Sequence, residues 1–207
     1  MIIQLLIILF IIISCKYNYD MLQFNQFTNI IQIYKPNKVH IQTELKHKNP
    51  MIIHNLLSTF EKIKGITIDS LVSSMPGYII QDNQKLISLE TFLNANTMFL
   101  HNNQKMIQDC KLDKSIHECS QYFMDAKSCN RTHSFSIYKG NHSTESIKNK
   151  HNITLLHQIH NQSTIYLINP KHNEDILEKT NQEIKKWSYK LTLEQGQILV
   201  IPPEWTY

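Results

Sequence analysis

Residues 193 to 207, LEQGQILVIPPEWTY, constrain what this chain can fold into more than any other stretch. An alternating run ends at Gly196, an unbroken apolar run Ile198-Leu199-Val200-Ile201 follows, and Pro202-Pro203 stops it. Proline lacks the N–H that would continue a ladder, so the last strand is predicted to leave its sheet at the double proline. The glycine between the two runs predicts a hairpin turn. The same rhythm appears upstream. Ser134 to Lys139 alternates and ends at Gly140, and Trp187 to Leu193 alternates again. Ile153–Ile159 and Ser163–Ile168 flank the polar triplet His160-Asn161-Gln162, a second hairpin signature, and Pro170 follows. Successive short strands at this spacing predict a β-sandwich or barrel of jelly-roll type over residues 130–207.

The first half reads differently. Residues 16–48 are polar and mixed, and are expected to form a stalk or lead-in. Met51 to His54 predicts a short strand, Leu56 to Lys64 a helix stopped by Gly65, and Asp69 to Met75 a second helix stopped at Pro76-Gly77. Tyr78 to Gln81 reads as a strand. Ser88 is expected to cap a helix over Leu89–Asn94, with Leu89, Phe92 and Leu93 on one face. Residues 49–129 therefore form an α/β preface to a β core at 130–207, within one domain spanning 49–207.

Residues 2–15, IIQLLIILFIIISC, are apolar apart from Gln4, Ser14 and Cys15. About 14 residues is short against the roughly 17 to 25 of a spanning helix, and no Lys or Arg precedes them. A retained N-terminal signal-anchor over 1–15, holding the protein to a membrane by one transmembrane segment, is the expectation. Its orientation is open, and so is cleavage. The 21 Lys and Arg give a net charge of +4 but are spread along the sequence, and no nucleic-acid module accompanies them, so no nucleic acid is expected as a partner. Of the 4 cysteines, Cys110, Cys119 and Cys129 are spaced for no zinc template. In a lumenal domain any two of them could pair. Four Asn-x-Ser/Thr sequons, at Asn130, Asn141, Asn152 and Asn161, are glycosylation acceptors under the same condition.

The string Gly196-x-Ile198-Leu199-x-Ile201-Pro202-x-x-Trp205 resembles the closing motif of cupin-like, Jumonji-type 2-oxoglutarate oxygenases, and HQIHNQSTIYLINP at 157–170 is similar to another part of that family's pattern. Gln158 falls on the family's glutamine, Asn161 on its glycine and Pro170 on its proline. Gln158, Pro170, Gly196, Pro202 and Trp205 thus carry the fold motif. The resemblance implies a double-stranded β-helix, the cupin-like jelly roll. It also implies a further strand after Trp205, so the chain is expected to be truncated at its C-terminus. Otherwise an open edge would invite a protein partner or self-association. Short cupin-like proteins with an apolar N-terminus and AT-biased composition are typical of large DNA viruses, and the chain is similar to these.

The same alignment places the metal-binding histidine on Lys148, the aspartate on Lys150, the last histidine on Tyr207 and the lysine that holds the cosubstrate on Ser163. A non-haem iron(II) site needs two imidazoles and a carboxylate. Two ammonium groups repel a dication, and a phenol is protonated at neutral pH. No other grouping of the 11 histidines supplies a replacement. The expectation is a membrane-anchored pseudoenzyme with no catalytic residue, metal or cofactor, acting as a binding or structural module for an unknown ligand. Two alternatives stand beside it: an active iron(II)/2-oxoglutarate hydroxylase with its ligands elsewhere, and a secreted carbohydrate-binding module.

Overall fold

Strands β2 (Met51–Ile53) and β10 (Ile198–Ile201) are apolar at every position because both of their faces are covered. Side chains alternate across a strand, so Met51, Ile53, Ile198 and Val200 point one way and Ile52, Leu199 and Ile201 the other. The first group packs with Ile33, Ile41, Leu56, Leu57, Ile63, Cys119 and Phe123. The second packs with Leu167, Leu191, Leu193 and Trp205. An unbroken run of apolar residues is what a strand buried on both sides requires.

The computed structural model describes residues 2–22, 29–75, 77–82, 85–95, 98–124, 131–140, 143–176 and 179–207. Helix α1 (Ile2–Leu22) opens the chain. Strand β1 (Ile31–Ile33), helix α2 (Lys38–Lys46) and β2 then form a βαβ unit, with β1 and β2 parallel and Asn37 capping α2 through its side chain. β1 and α2 lie within the stretch expected as a lead-in, and their Ile33 and Ile41 are core residues. A 3-10 turn at Leu57–Thr59, α3 (Glu61–Lys64) and α4 (Ile68–Ser74) follow. Thr67 caps α4, and Ser70 completes a reciprocal capping box.

Next come the hairpin β3 (Ile79–Asp82) and β4 (Lys85–Ser88), α5 (Leu89–Asn94), β5 (Met98–Asn103), α6 (Gln104–Asp109) and α7 (Asp113–Ser120). The remaining elements are β6 (Phe135–Lys139), β7 (Thr154–His157), β8 (Ser163–Ile168), α8 (Asn181–Ile184), β9 (Ser188–Leu193) and β10. A separate core under α4, β3, α5 and α6 gathers Leu71, Ile80, Leu89, Phe92 and Met106.

This arrangement corrects the expected fold class. Helices account for 38% and strands for 24%, and the strands fall into small separate sheets that neither close nor curl, so the protein is mixed α/β and not a mainly β double-stranded β-helix. One sheet has four strands in the order β1-β2-β10-β7, and three others have two strands each: β3-β4, β5-β6 and β8-β9.

The physical reason lies in the turns. Both expected hairpins are arches. β7 pairs with β10 while β8 pairs with β9, so the chain changes sheet at 158–162 and again at 194–197. In the first arch Gln158 Nε2 donates to the His160 carbonyl at 2.8 Å and Ser163 Oγ donates to Gln158 Oε1 at 2.5 Å. In the second, Glu194 N–H donates to Gln197 Oε1 at 2.8 Å, and Gly196 takes a left-handed φ of 85°. The arches lie side by side, joined by Gly196 N–H to the Gln158 carbonyl and Gln158 N–H to the Gln197 carbonyl. Such crossings tie two layers together without closing either.

Candidate binding site

Beyond the ends of the central strands, three segments converge. β10 leaves the sheet after Ile201, β2 enters it at Met51 and β7 enters it at Thr154; Val200 lies opposite Met51 and Ile201 opposite Thr154. The loop after α2, the 149–153 lead into β7 and the Pro202-Pro203-Glu204 turn therefore meet at one end of the sheet. Between them is a cleft of about 250 Å³. Leu45, Ile153, Pro202 and Pro203 give it apolar walls, and Lys48, Asn49, Lys150, His151, Asn152 and Glu204 give it polar and charged groups. A smaller hollow of about 110 Å³ sits by the arches, bordered by Ile63, Ile159 and Gly196.

Asn149 holds the cleft together. It is 2% exposed, and every hydrogen-bonding position of its amide is used. Its Nδ2 donates to the carbonyls of Ile201 at 2.9 Å and Pro202 at 2.8 Å. Its Oδ1 accepts from His151 N–H at 3.0 Å and Thr154 Oγ1 at 2.8 Å. The backbone adds Asn149 N–H to the Trp205 carbonyl and Glu204 N–H to the Asn149 carbonyl, each at 2.8 Å. Asn173 grips the same turn from the other side, with Nδ2 donating to the Glu204 carbonyl at 3.0 Å. Glu204 is thereby held at a φ of 67°, which an L-residue adopts at a cost of about 1 kcal/mol.

The sequence-expected positions fall around this clip. Lys148 and Tyr207 are brought together: Lys148 bridges Thr206, and Ile147 and Tyr207 exchange backbone hydrogen bonds at 2.8 and 3.0 Å. Lys148 Nζ lies 2.5 Å from Glu204 Oε2 in an ion pair. Lys150 lines the cleft. Burial holds the Tyr207 phenol above its ordinary range, against the opposing pull of a hydrogen bond with Thr154. Ser163, at the cosubstrate position, is bonded to Gln158. Iron(II) does not fit here. The groups at the three aligned positions are two ammonium ions and a phenol held protonated, Lys148 is already paired with the Glu204 carboxylate, and Lys148 and Tyr207 lie on neighbouring rungs whose side chains face opposite ways. Among the described residues no group of three or more His, Cys, Asp and Glu is placed to hold a metal ion.

Gln158 lies in the first arch, Pro170 begins a 3-10 turn, Gly196 is the pivot of the second arch, and Pro202 and Trp205 are buried. Asn161 sits exposed at the arch tip with φ 56°, and Asn152 is exposed on the cleft rim. Asn130 and Asn141 lie outside the described residues, as does Cys129. Cys15, Cys110 and Cys119 are free thiols. Asn149, Lys48 and Glu204 were not legible as site residues. The bonds of Asn149 to Ile201 and Pro202 span 52 and 53 positions, so no local pattern announces them.

Among the described residues no helix is long and apolar enough to cross a membrane. The apolar part of α1, residues 2–15, rises about 21 Å against the roughly 30 Å of a hydrocarbon core. Its large side chains from Ile3 to Ile13 are each at least 53% exposed, on all sides of the helix. No protein-family model matches the chain, and no curated protein matches it.

Proposed function

We propose that this protein is a non-catalytic binding module tethered to a membrane through α1. The observation that carries the reading is the cleft at one end of the sheet, lined by Lys48, Lys150, His151 and Glu204, with Lys148 paired to Glu204 beside it. The groups gathered there suit recognition of a ligand and do not suit activation of oxygen or a metal-bound substrate. The exposed apolar surface of α1 from Leu5 to Ile13 supports the tether, because a helical segment apolar on every side is stable only when something apolar surrounds it.

Anaerobic titration with iron(II) and 2-oxoglutarate tests this function. The expected result is no stoichiometric uptake and no charge-transfer band. Stoichiometric binding with that band would establish the hydroxylase instead.

A carbohydrate-binding module is a second reading, favoured by one surface. On β5 and β6, Phe99, His101 and Tyr138 form an exposed aromatic group, with Phe99 and Tyr138 ring centroids 5.5 Å apart. Retention on immobilised oligosaccharides that is lost in a Phe99→Ala, Tyr138→Ala variant would favour it over the cleft.

A further inference from the structure

We propose that the cleft at the end of the four-stranded sheet takes a small organic anion, a carboxylate carrying a short apolar body. The assignment rests on the binding-module reading and gives it a ligand class. Lys48, Lys150 and His151 all line the cleft. The acid among the lining residues, Glu204, is already countered by Lys148 at 2.5 Å, so the cleft as a whole presents positive charge. Lys150 makes no ion pair with any described residue. An ammonium at the mouth of an apolar-walled hollow is matched by an oxyanion, because a charge-assisted hydrogen bond is stronger than a neutral one.

The body of the ligand is defined by the remaining walls. Leu45, Ile153, Pro202 and Pro203 offer hydrocarbon, while Asn49 and Asn152 add two amides, so the part of the ligand beyond its carboxylate is a short apolar body with room for a polar edge. The volume of about 250 Å³ lies just below the roughly 300 Å³ at which drug-sized pockets begin, which limits the ligand to one ring or a short branched chain. The cleft is also rigid where it matters. Asn149 fixes the Pro202 carbonyl and the His151 backbone at once, so two walls are set before any ligand arrives.

Calorimetric titration of the full chain in detergent, with benzoate as the probe and benzamide as its uncharged counterpart, decides the matter. Benzoate is expected to saturate one site per chain and benzamide to bind at least about tenfold more weakly, the loss of one charge-assisted contact. Lys150→Gln should weaken benzoate about tenfold while Lys150→Arg keeps most of the affinity. Glu204→Gln should tighten it, since a carboxylate is removed from the lining. Lys150 is exposed, so its variants are expected to fold; Lys48→Gln, in the loop after α2, is a second variant with the same expected direction. Equal binding of benzoate and benzamide, or benzoate binding unchanged in both lysine variants, would overturn the proposal. The outcome is separable from that of the iron titration. Iron and 2-oxoglutarate uptake together with lysine-dependent benzoate binding would sink the non-catalytic reading alone. Neither iron uptake nor charge-dependent benzoate binding would sink only the ligand assignment.

Discussion

Asn149 ties the last strand, the Pro-Pro turn and the lead into β7 through one side chain, so its removal is felt in four places. Asn149→Ala leaves two carbonyls, one N–H and one hydroxyl without their partner in a buried setting, and the expected loss is about 3 kcal/mol. A shift of the urea midpoint with an unchanged slope measures it. His157 shows the opposite case, a titratable group that the fold keeps neutral. Burial, with the nearby His133 adding to it, pulls its imidazole down from 6.5 to about 4. The unfolded chain takes up a proton there at a higher pH than the folded chain does. The stability contributed by the neutral ring is therefore fully present above about pH 6.5 and is lost as the pH falls from there toward 4. The melting temperature is expected to drop between pH 7 and pH 5, and His157→Gln should flatten that dependence. Neither residue was legible beforehand as important. Asn149 sits in an Asn- and Lys-rich stretch, and its significance comes from chain far away in sequence. Lys148 and Lys150, on either side of it, are exposed.

At the level of elements, local chemistry was readable and pairing was not. The Leu89–Asn94 helix forms with Ser88 accepting from Thr91 N–H, as its cap residue and apolar face require. β2, β3, β6, β9 and β10 lie where apolar runs or alternation placed them. Yet a glycine between two strands does not say whether the chain folds back within a sheet or steps into the next one. Gly196 does the second, because Gln197 closes the 194–197 turn with its side chain and hands Ile198 to β2 and β7. β1, α2 and α7 were missed for a related reason. β1 is only three residues long, α2 and α7 are polar overall, and each contributes only one or two anchors, such as Ile33, Ile41 and Cys119, which the rest of the core completes. A φ of 85° at Gly196 with nothing within 4 Å of an added Cβ means that backbone strain alone opposes substitution there. Gly196→Ala is expected to cost about 1 kcal/mol. Gly77→Ala, which meets no neighbouring atom and needs no left-handed backbone, is expected to be near neutral. Paired thermal melts compare the two.

On the scale of the whole molecule, an apolar helix precedes a mixed α/β body whose central sheet ends in a charged cleft. The body buries Ile and Leu between sheet and helices, whereas α1 presents Ile, Leu and Phe outward from Ile3 to Ile13. Burying that surface is worth roughly 25 cal/mol for each Å² removed from water, and lipid is the environment that removes all of it at once. Sequence reading found this contrast readily, since an unbroken apolar segment needs no knowledge of tertiary contacts. It mistook the body for a closed β-fold because strand rhythm is shared by sheets that close and sheets that do not. Alkaline carbonate extraction of membranes bearing the full chain, beside a variant lacking residues 2–22, tests the tethered-module account most directly. The full chain is predicted to stay in the membrane pellet and the shortened one to appear in the soluble fraction, still folded. Full-length chain recovered in the soluble fraction would contradict it.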